Sequence, residues 1–149
     1  MQLKDICSGE VVYCERKTTV RQAAELMRKK HVGDLIVVDD ASDERTPVGM
    51  ITDRDIVVKV LGNELDAARV SVGEVMRTPI VVGQETEDLS DAIARMRSHG
   101  VRRLPVVGAR NRLIGIVTLD DLLRLLVEDT SALLQVIAKE QQQELRACK

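Results

Sequence analysis

Residues Val48-Gly49-Met50-Ile51-Thr52-Asp53-Arg54-Asp55-Ile56 return as Ile114-Gly115-Ile116-Val117-Thr118-Leu119-Asp120-Asp121-Leu122, with the glycine, the threonine and the second aspartate in register. In a chain of 149 residues such a duplication restricts the fold more than any single motif does. One supersecondary unit present twice implies a pseudo-symmetric pair with a cleft between its halves. The repeat extends upstream at an offset of 69 positions, which places Ala23 on Ala92, Met27 on Met96, Arg28 on Arg97, Leu35 on Leu104 and Val37-Val38 on Val106-Val107. Beyond that the offset is 66, so the first copy carries three extra residues in the polar stretch Asp39 to Thr46. A loop is where such a difference is absorbed.

Each copy shows the same order of local signals. Val11-Val12-Tyr13 and Ile80-Val81-Val82 read as short strands. Val20, Ala23, Ala24 and Met27, like Leu89, Ala92, Ile93 and Met96, recur at i, i+3, i+4, i+7, one face of a helix that ends at His31 or Gly100. Leu35 to Val38 and Leu104 to Val107 read as buried strands. A loop, a second strand ending at Thr52 or Thr118, and a helix through Ile56–Val60 or Leu122–Val127 complete a β-α-β-β-α unit. The fold class is α/β (α+β), with two small sheets expected to pack through their helices. The expected division is 1–62 for the first repeat, 63–72 for a linker, 73–128 for the second repeat and 129–149 for a C-terminal helix or tail. Short helices near Lys4-Asp5-Ile6-Cys7 and Ser71-Val72-Gly73-Glu74-Val75-Met76 lead into the two copies, and Ser131 is expected to cap the final helix.

Composition removes several functions. The chain has 44% apolar residues, no Phe or Trp and one Tyr, Tyr13, so the core is built from aliphatic side chains. A net charge of −2 and the lack of aromatics disfavour nucleic acid, which wants a basic surface or stacking platforms. No run approaches the roughly 18 apolar residues of a membrane span, and a cytoplasmic location is expected. Cys7, Cys14 and Cys148 show no Cys-x-x-Cys spacing, so neither a metal site nor a disulfide framework is expected. His31 and His99 lack a nucleophile or carboxylate at triad spacing, and no P-loop or Gly-x-Gly-x-x-Gly turn is present; no catalytic residue is expected.

The doubled Thr-x-x-Asp has two compatible readings. Thr52 with Asp55, and Thr118 with Asp121, fit a capping box at a strand-to-helix junction. The same helix start offers unpaired N–H groups, while the carboxylate can accept both hydroxyls of a ribose diol. Arg102 and Arg103 open the strand before Pro105 and suit a phosphate. Neighbouring strand residues face opposite ways, so only one should reach a cleft unless a turn redirects both. The matching positions are Gly33 and Asp34, and an aspartate there should repel phosphate, so the clefts should differ.

With Gly-Ile-Val-Thr-x-x-Asp, Val101-Arg102-Arg103-Leu104-Pro105-Val106-Val107 and Val75-Met76-Arg77-Thr78-Pro79 in hand, the chain resembles a tandem cystathionine-β-synthase (CBS) domain pair, or Bateman module, over roughly Lys4 to Val127. The resemblance implies two repeats about a pseudo-two-fold axis, a homodimer, and an adenosine ligand (AMP, ATP or S-adenosylmethionine, with NAD after them) in the inter-repeat clefts. It also implies a non-catalytic regulatory role exerted through a dimer rearrangement or an unidentified effector protein in trans. Carried across by position, Thr118 and Asp121, and Thr52 and Asp55, match ribose-binding positions. Arg102 and Arg103 match phosphate contacts, and Thr78 and Ile80 match the strand beside the adenine. Pro105 follows on the second repeat's strand, and Arg54 stands where it could compensate for Asp34. The competing reading is a structural or interaction module in which Thr-x-x-Asp only caps helices.

Overall fold

The computed structural model describes residues 1–39 and 44–147. The chain divides into two compact units, Met1–Val117 and a second that begins at Thr118. Within the first unit lie α1 (Leu3–Ile6), β1 (Tyr13–Glu15), α2 (Val20–Lys30), β2 (Asp34–Val38), β3 (Pro47–Thr52) and α3 (Asp53–Asp55). α3 passes into a wider turn over Ile56–Leu61, where the Gly62 N–H bonds the Val57 carbonyl five residues back at 2.8 Å. There follow α4 (Val72–Val75), β4 (Gly83–Gln84), α5 (Leu89–His99), β5 (Arg103–Val107) and β6 (Leu113–Thr118). The second unit is dominated by α6 (Leu119–Ala147).

The β-α-β-β-α order holds in both copies. β1-β2-β3 form one three-stranded sheet and β4-β5-β6 the other. β1 runs parallel to β2, β2 antiparallel to β3, and β4 parallel to β5. α2 supplies the crossover: Thr19 Oγ1 accepts from the Gln22 N–H while the Thr19 N–H donates to Gln22 Oε1. Val20, Ala23 and Met27 are its buried face. The helix stops at His31 in the left-handed region (φ 56°), and α5 stops at Gly100 (φ 64°), the same repeat position.

The sheets pack on each other directly, not through their helices as expected. β2 is buried on both faces: Leu35 and Val37 join Val20, Met27 and Ile51 on the helix side. Ile36 and Val38 join Leu113 in a second cluster, flanked by Val11, Met50, Ile80 and Ile116. Four successive apolar residues, Leu35 to Val38, need cover on both sides of the strand, and one helix covers only one. The strand edges also move. Tyr13–Glu15 and Gly83–Gln84 pair, a few residues after the expected runs, because Val11 and Ile80 turn into the cluster between the sheets.

The lead-in helices cross over. α1 precedes the first copy but joins the second: the Leu3 and Lys4 N–H groups donate to the Glu87 and Glu85 carbonyls, and Ser8 bridges Ile116. α4 does the converse, with Val72 and Val75 in the first repeat's core and Arg77 bridging Met50. At the repeat offset Leu3 matches Val72 and Gly83 matches Cys14. Leu3 is fully buried where Gly83 leaves room; a Cβ on Gly83 would collide with the Leu3 Cδ1. The larger residue faces the smaller in one copy, and Val72 and Cys14 share the volume in the other.

Two further expectations need adjustment. No break or cap occurs at Ser131, because α6 is continuous from Leu119 to Ala147 and Thr130 donates its hydroxyl to the Leu126 carbonyl at 2.7 Å. With neither Gly nor Pro between Leu119 and Ala147, nothing forces a stop. On α5, Ile93 is 46% exposed, so its apolar stripe is narrower than expected. The loop with the three extra residues includes residues 40–43, outside the described residues, as is Cys148.

Candidate functional site

A cleft of about 260 Å³ opens within the first unit, lined by Met50 and Thr52 of β3, Arg77, Pro79, Ile80, Val81 and the turn Gly100 to Arg103. The volume is near the lower end for small-ligand sites. Both arginines reach it. Arg103 begins β5, but Arg102 sits in the turn that follows the left-handed Gly100, and the turn supplies the redirection that a regular strand forbids. Ile80 and Val81 with Met50 give aliphatic walls in a chain without Phe or Trp.

Two of the candidate groups are held firmly. The Thr52 N–H and hydroxyl both donate to Asp55 Oδ2 (3.1 and 3.0 Å), and the Asp55 N–H donates back to Thr52 Oγ1 (3.1 Å), a complete capping box. Arg77 Nε donates to both Asp55 oxygens at 2.9 and 3.0 Å, and Lys59 Nζ lies 3.6 Å from Oδ1. The Asp55 side chain is 3% exposed. Burial alone would raise its pKa, but the hydrogen bonds from Arg77 and Thr52 more than offset this and hold the carboxyl below the usual range.

The second pair stands in the second unit. The Thr118 N–H and hydroxyl donate to Asp121 Oδ2 at 3.0 and 2.6 Å, and the Asp121 N–H donates to Thr118 Oγ1 at 3.1 Å. Here Arg124 approaches Oδ1 only to 4.0 Å and the Asp121 side chain is 33% exposed. The capping boxes are alike; the carboxylates' surroundings are not.

Asp34 corrects the expectation attached to it. Its carboxylate takes Arg103 Nε at 3.0 Å, so residues at one repeat position meet across the two copies. Asp34 is therefore a counter-charge to Arg103. Its pKa is raised: burial is the largest cause, Asp53 adds to it, and Arg103 only partly compensates. Arg54 does not line the cleft; it is exposed, and its N–H bonds Asp53 Oδ1. Thr78 is exposed before Pro79, and Pro105 is buried in β5 outside the cleft lining. Thus Thr52, Ile80, Arg102 and Arg103 come together, and Arg77 links the cleft lining to Asp55. Thr52 of the first copy thus shares this cleft with the arginines of the second.

Arg77 had no assigned role. Its signal was present, since the position matching it in the first copy is Ser8 and an arginine there breaks the symmetry. Asp55, buried, and Asp34, half-buried, predict opposite pH responses. Asp55, with its folded pKa lowered, contributes stability that is complete above its unfolded pKa and lost as pH falls through the folded value. Asp34, with its folded pKa raised, contributes stability below its unfolded pKa that is lost as pH rises through the folded value. In urea unfolding from about pH 6 to about pH 2, Asp55→Asn should flatten the acid loss of stability and Asp34→Asn should steepen it. Parallel curves for both variants would refute the assignment.

Among the described residues no group of three or more His, Cys, Asp or Glu is placed to hold a metal, and no helix is long and apolar enough to cross a membrane. A profile of the CBS domain matches residues 3–62 and 72–128. The CBS domain-containing protein YhcV of Bacillus subtilis is 38% identical over 120 residues, 80% of this chain and 81% of that one. Hypoxic response protein 1 of Mycobacterium tuberculosis is 37% identical over 125 residues, 84% of this chain and 85% of that one. A Methanopyrus kandleri relative, 30% identical over 120 residues (80% of this chain), is longer, and the chain covers 60% of it. The crystal structure of Hypoxic Response Protein I, which holds two coordinated zinc ions, superposes with a TM-score of 0.73 at 35% identity, over 83% of this chain and 98% of that one. A CBS domain pair in complex with 5′-methylthioadenosine and S-adenosyl-L-methionine superposes with a TM-score of 0.73 at 26% identity, over 87% of this chain and 98% of that one. With the profile on both repeats and a relative 38% identical over four fifths of both chains, the chain belongs to the CBS domain family, as a tandem pair.

Proposed function

We propose that the protein is a non-catalytic regulatory module that binds an adenosine-containing ligand. The observation that carries this reading is the cleft itself: aliphatic walls from Ile80, Val81 and Met50 stand beside Arg77 and Arg102, with Arg103 neutralised by Asp34. Such a set suits a purine between aliphatic groups and a phosphate on guanidinium groups. The complex of the related pair with S-adenosyl-L-methionine supports the ligand class. Of the two aspartates, Asp121 is the more open ribose acceptor, with Thr118 locked beside it. A ligand bridging β3 and the start of β5 biases the contact between the sheets, and that bias is the signal passed to a partner or a second subunit. A homodimer fits the exposed apolar side chains of α6, among them Leu126, Val127, Leu133 and Leu134.

The competing reading, a structural module with no ligand, draws on the completeness of both capping boxes. Thermal unfolding with saturating AMP, ATP, S-adenosylmethionine and NAD separates the two. A ligand at about 100 times its Kd stabilises the folded state by about 2.7 kcal/mol. The expected result is such a rise with at least one of them, reduced by Asp121→Ala in a protein that still unfolds cooperatively. No rise with any would leave capping as the function of the motif.

A further inference from the structure

Asp55 and Asp121 stand at matching positions but are not equally available. Asp55 Oδ2 already takes the Thr52 N–H, the Thr52 hydroxyl and Arg77 Nε, and Oδ1 takes Arg77 Nε with Lys59 close by. A carboxylate so occupied and 3% exposed has no lone pair facing solvent for a ribose diol. Arg77 reaches it through Nε, while its side chain is 57% exposed and lines the cleft. The guanidinium fork has five donors. Its Nε is anchored on Asp55, and Arg77 and Arg102 both line the cleft.

We infer that in this cleft Asp55 is a positioning residue for Arg77 and that Arg77, with Arg102, forms an anion clamp that selects adenosine phosphates over neutral adenosine and cationic S-adenosylmethionine. The inference rests on the adenosine reading above and names the ligand class for one of its sites. The buried carboxylate fixes the fork in one orientation, so less rotamer freedom is lost when an anion arrives. With Arg77 replaced, Lys59 Nζ at 3.6 Å from Oδ1 and the Thr52 donors still face the Asp55 carboxylate. The sequence asymmetry matches: Ser8, at Arg77's repeat position, has no charge to offer a phosphate.

The test is calorimetric titration of the full chain with adenosine, AMP, ATP, S-adenosylmethionine and inorganic triphosphate. It uses the wild type, Arg77→Gln, Arg77→Lys, Asp55→Asn and the Arg77→Gln/Asp55→Asn double variant, each first checked for cooperative unfolding. Wild type should bind AMP or ATP at least about tenfold more tightly than adenosine, the size of one charge-assisted contact. Arg77→Gln should remove most of that preference, Asp55→Asn should remove a similar share, and the double variant should lose no more than Arg77→Gln alone. Arg77→Lys, which keeps the charge without the fork, should fall between. Equal weakening of adenosine and AMP by Asp55→Asn would make Asp55 a ribose reader and overturn the proposal, as would an unchanged preference in Arg77→Gln. If inorganic triphosphate binds through Arg77 while no nucleoside ligand binds, the adenosine reading fails and the clamp stands. If nothing binds, both fall.

Discussion

Leu3→Ala will destabilise the protein by about 2–5 kcal/mol, the range for emptying a fully buried leucine site. A residue so near a chain end is ordinarily dispensable. Leu3 differs because α1 crosses to the second repeat, where it packs beside Gly83 and Leu104 and its N–H is bonded to the Glu87 carbonyl. The deleted volume cannot collapse easily, since Gly83 brings no side chain to fill it. Urea unfolding measures the loss, with Leu61, 62% exposed, as a control position where truncation to Ala should change little. A cost below about 1 kcal/mol for Leu3→Ala would mean that α1 is appended to the fold and not part of its core.

Gly115→Val and Gly49→Val will each cost about 3 kcal/mol, at the upper end for overpacking, and lower the melting temperature by about 10 °C in a chain of this size. These glycines head the two Gly-x-x-Thr-x-x-Asp motifs. A Cβ on Gly115 would lie 2.7 Å from the Cys7 Sγ and 2.8 Å from the Ser8 carbonyl oxygen. On Gly49 it would lie 2.6 Å from the Met76 Sδ and 3.0 Å from the Arg77 carbonyl oxygen. In both copies the obstacle is the crossing segment that forms the bridges Ser8 to Ile116 and Arg77 to Met50. The Gly115 variant should suffer more, because its backbone obstacle is closer and the methionine beside Gly49 can swing away. Thermal unfolding of the two variants checks both the size and the order. If Gly49→Val is tolerated, it should still alter ligand response, because Arg77 follows the carbonyl that must move.

Much of this was legible in the chain. The offsets of 69 and 66 placed β2, β5, the two amphipathic helices and the stops at His31 and Gly100, because helix and strand periodicity are local properties. The capping boxes at Thr52 and Thr118 were equally readable, since their partners lie three residues away. The ion pairs were not. Asp34 appeared as an obstacle to phosphate because its partner Arg103 is 69 positions away, and Asp55 appeared open because Arg77 belongs to the other copy's lead-in. The final helix was divided at Ser131 because a capping residue looks the same in a helix interior, where Thr130 in fact returns its hydroxyl to Leu126.

The sequence by itself determined a duplicated β-α-β-β-α unit, an aliphatic core, and a threonine and aspartate at each strand-to-helix junction. These follow from spacing along the chain, and each is set by forces acting over a few residues. Only the tertiary structure decided that the lead-in helices exchange between the copies, that the sheets meet face to face, and that Thr52 shares a cleft with Arg102 and Arg103. The same exchange brings Arg77 onto Asp55 and leaves Ser8 at the matching position, so two near-identical motifs come to have different electrostatic surroundings. Which charges meet depends on where distant segments pack, and burial then makes those meetings count, because a carboxylate removed from water must take its partners from the protein.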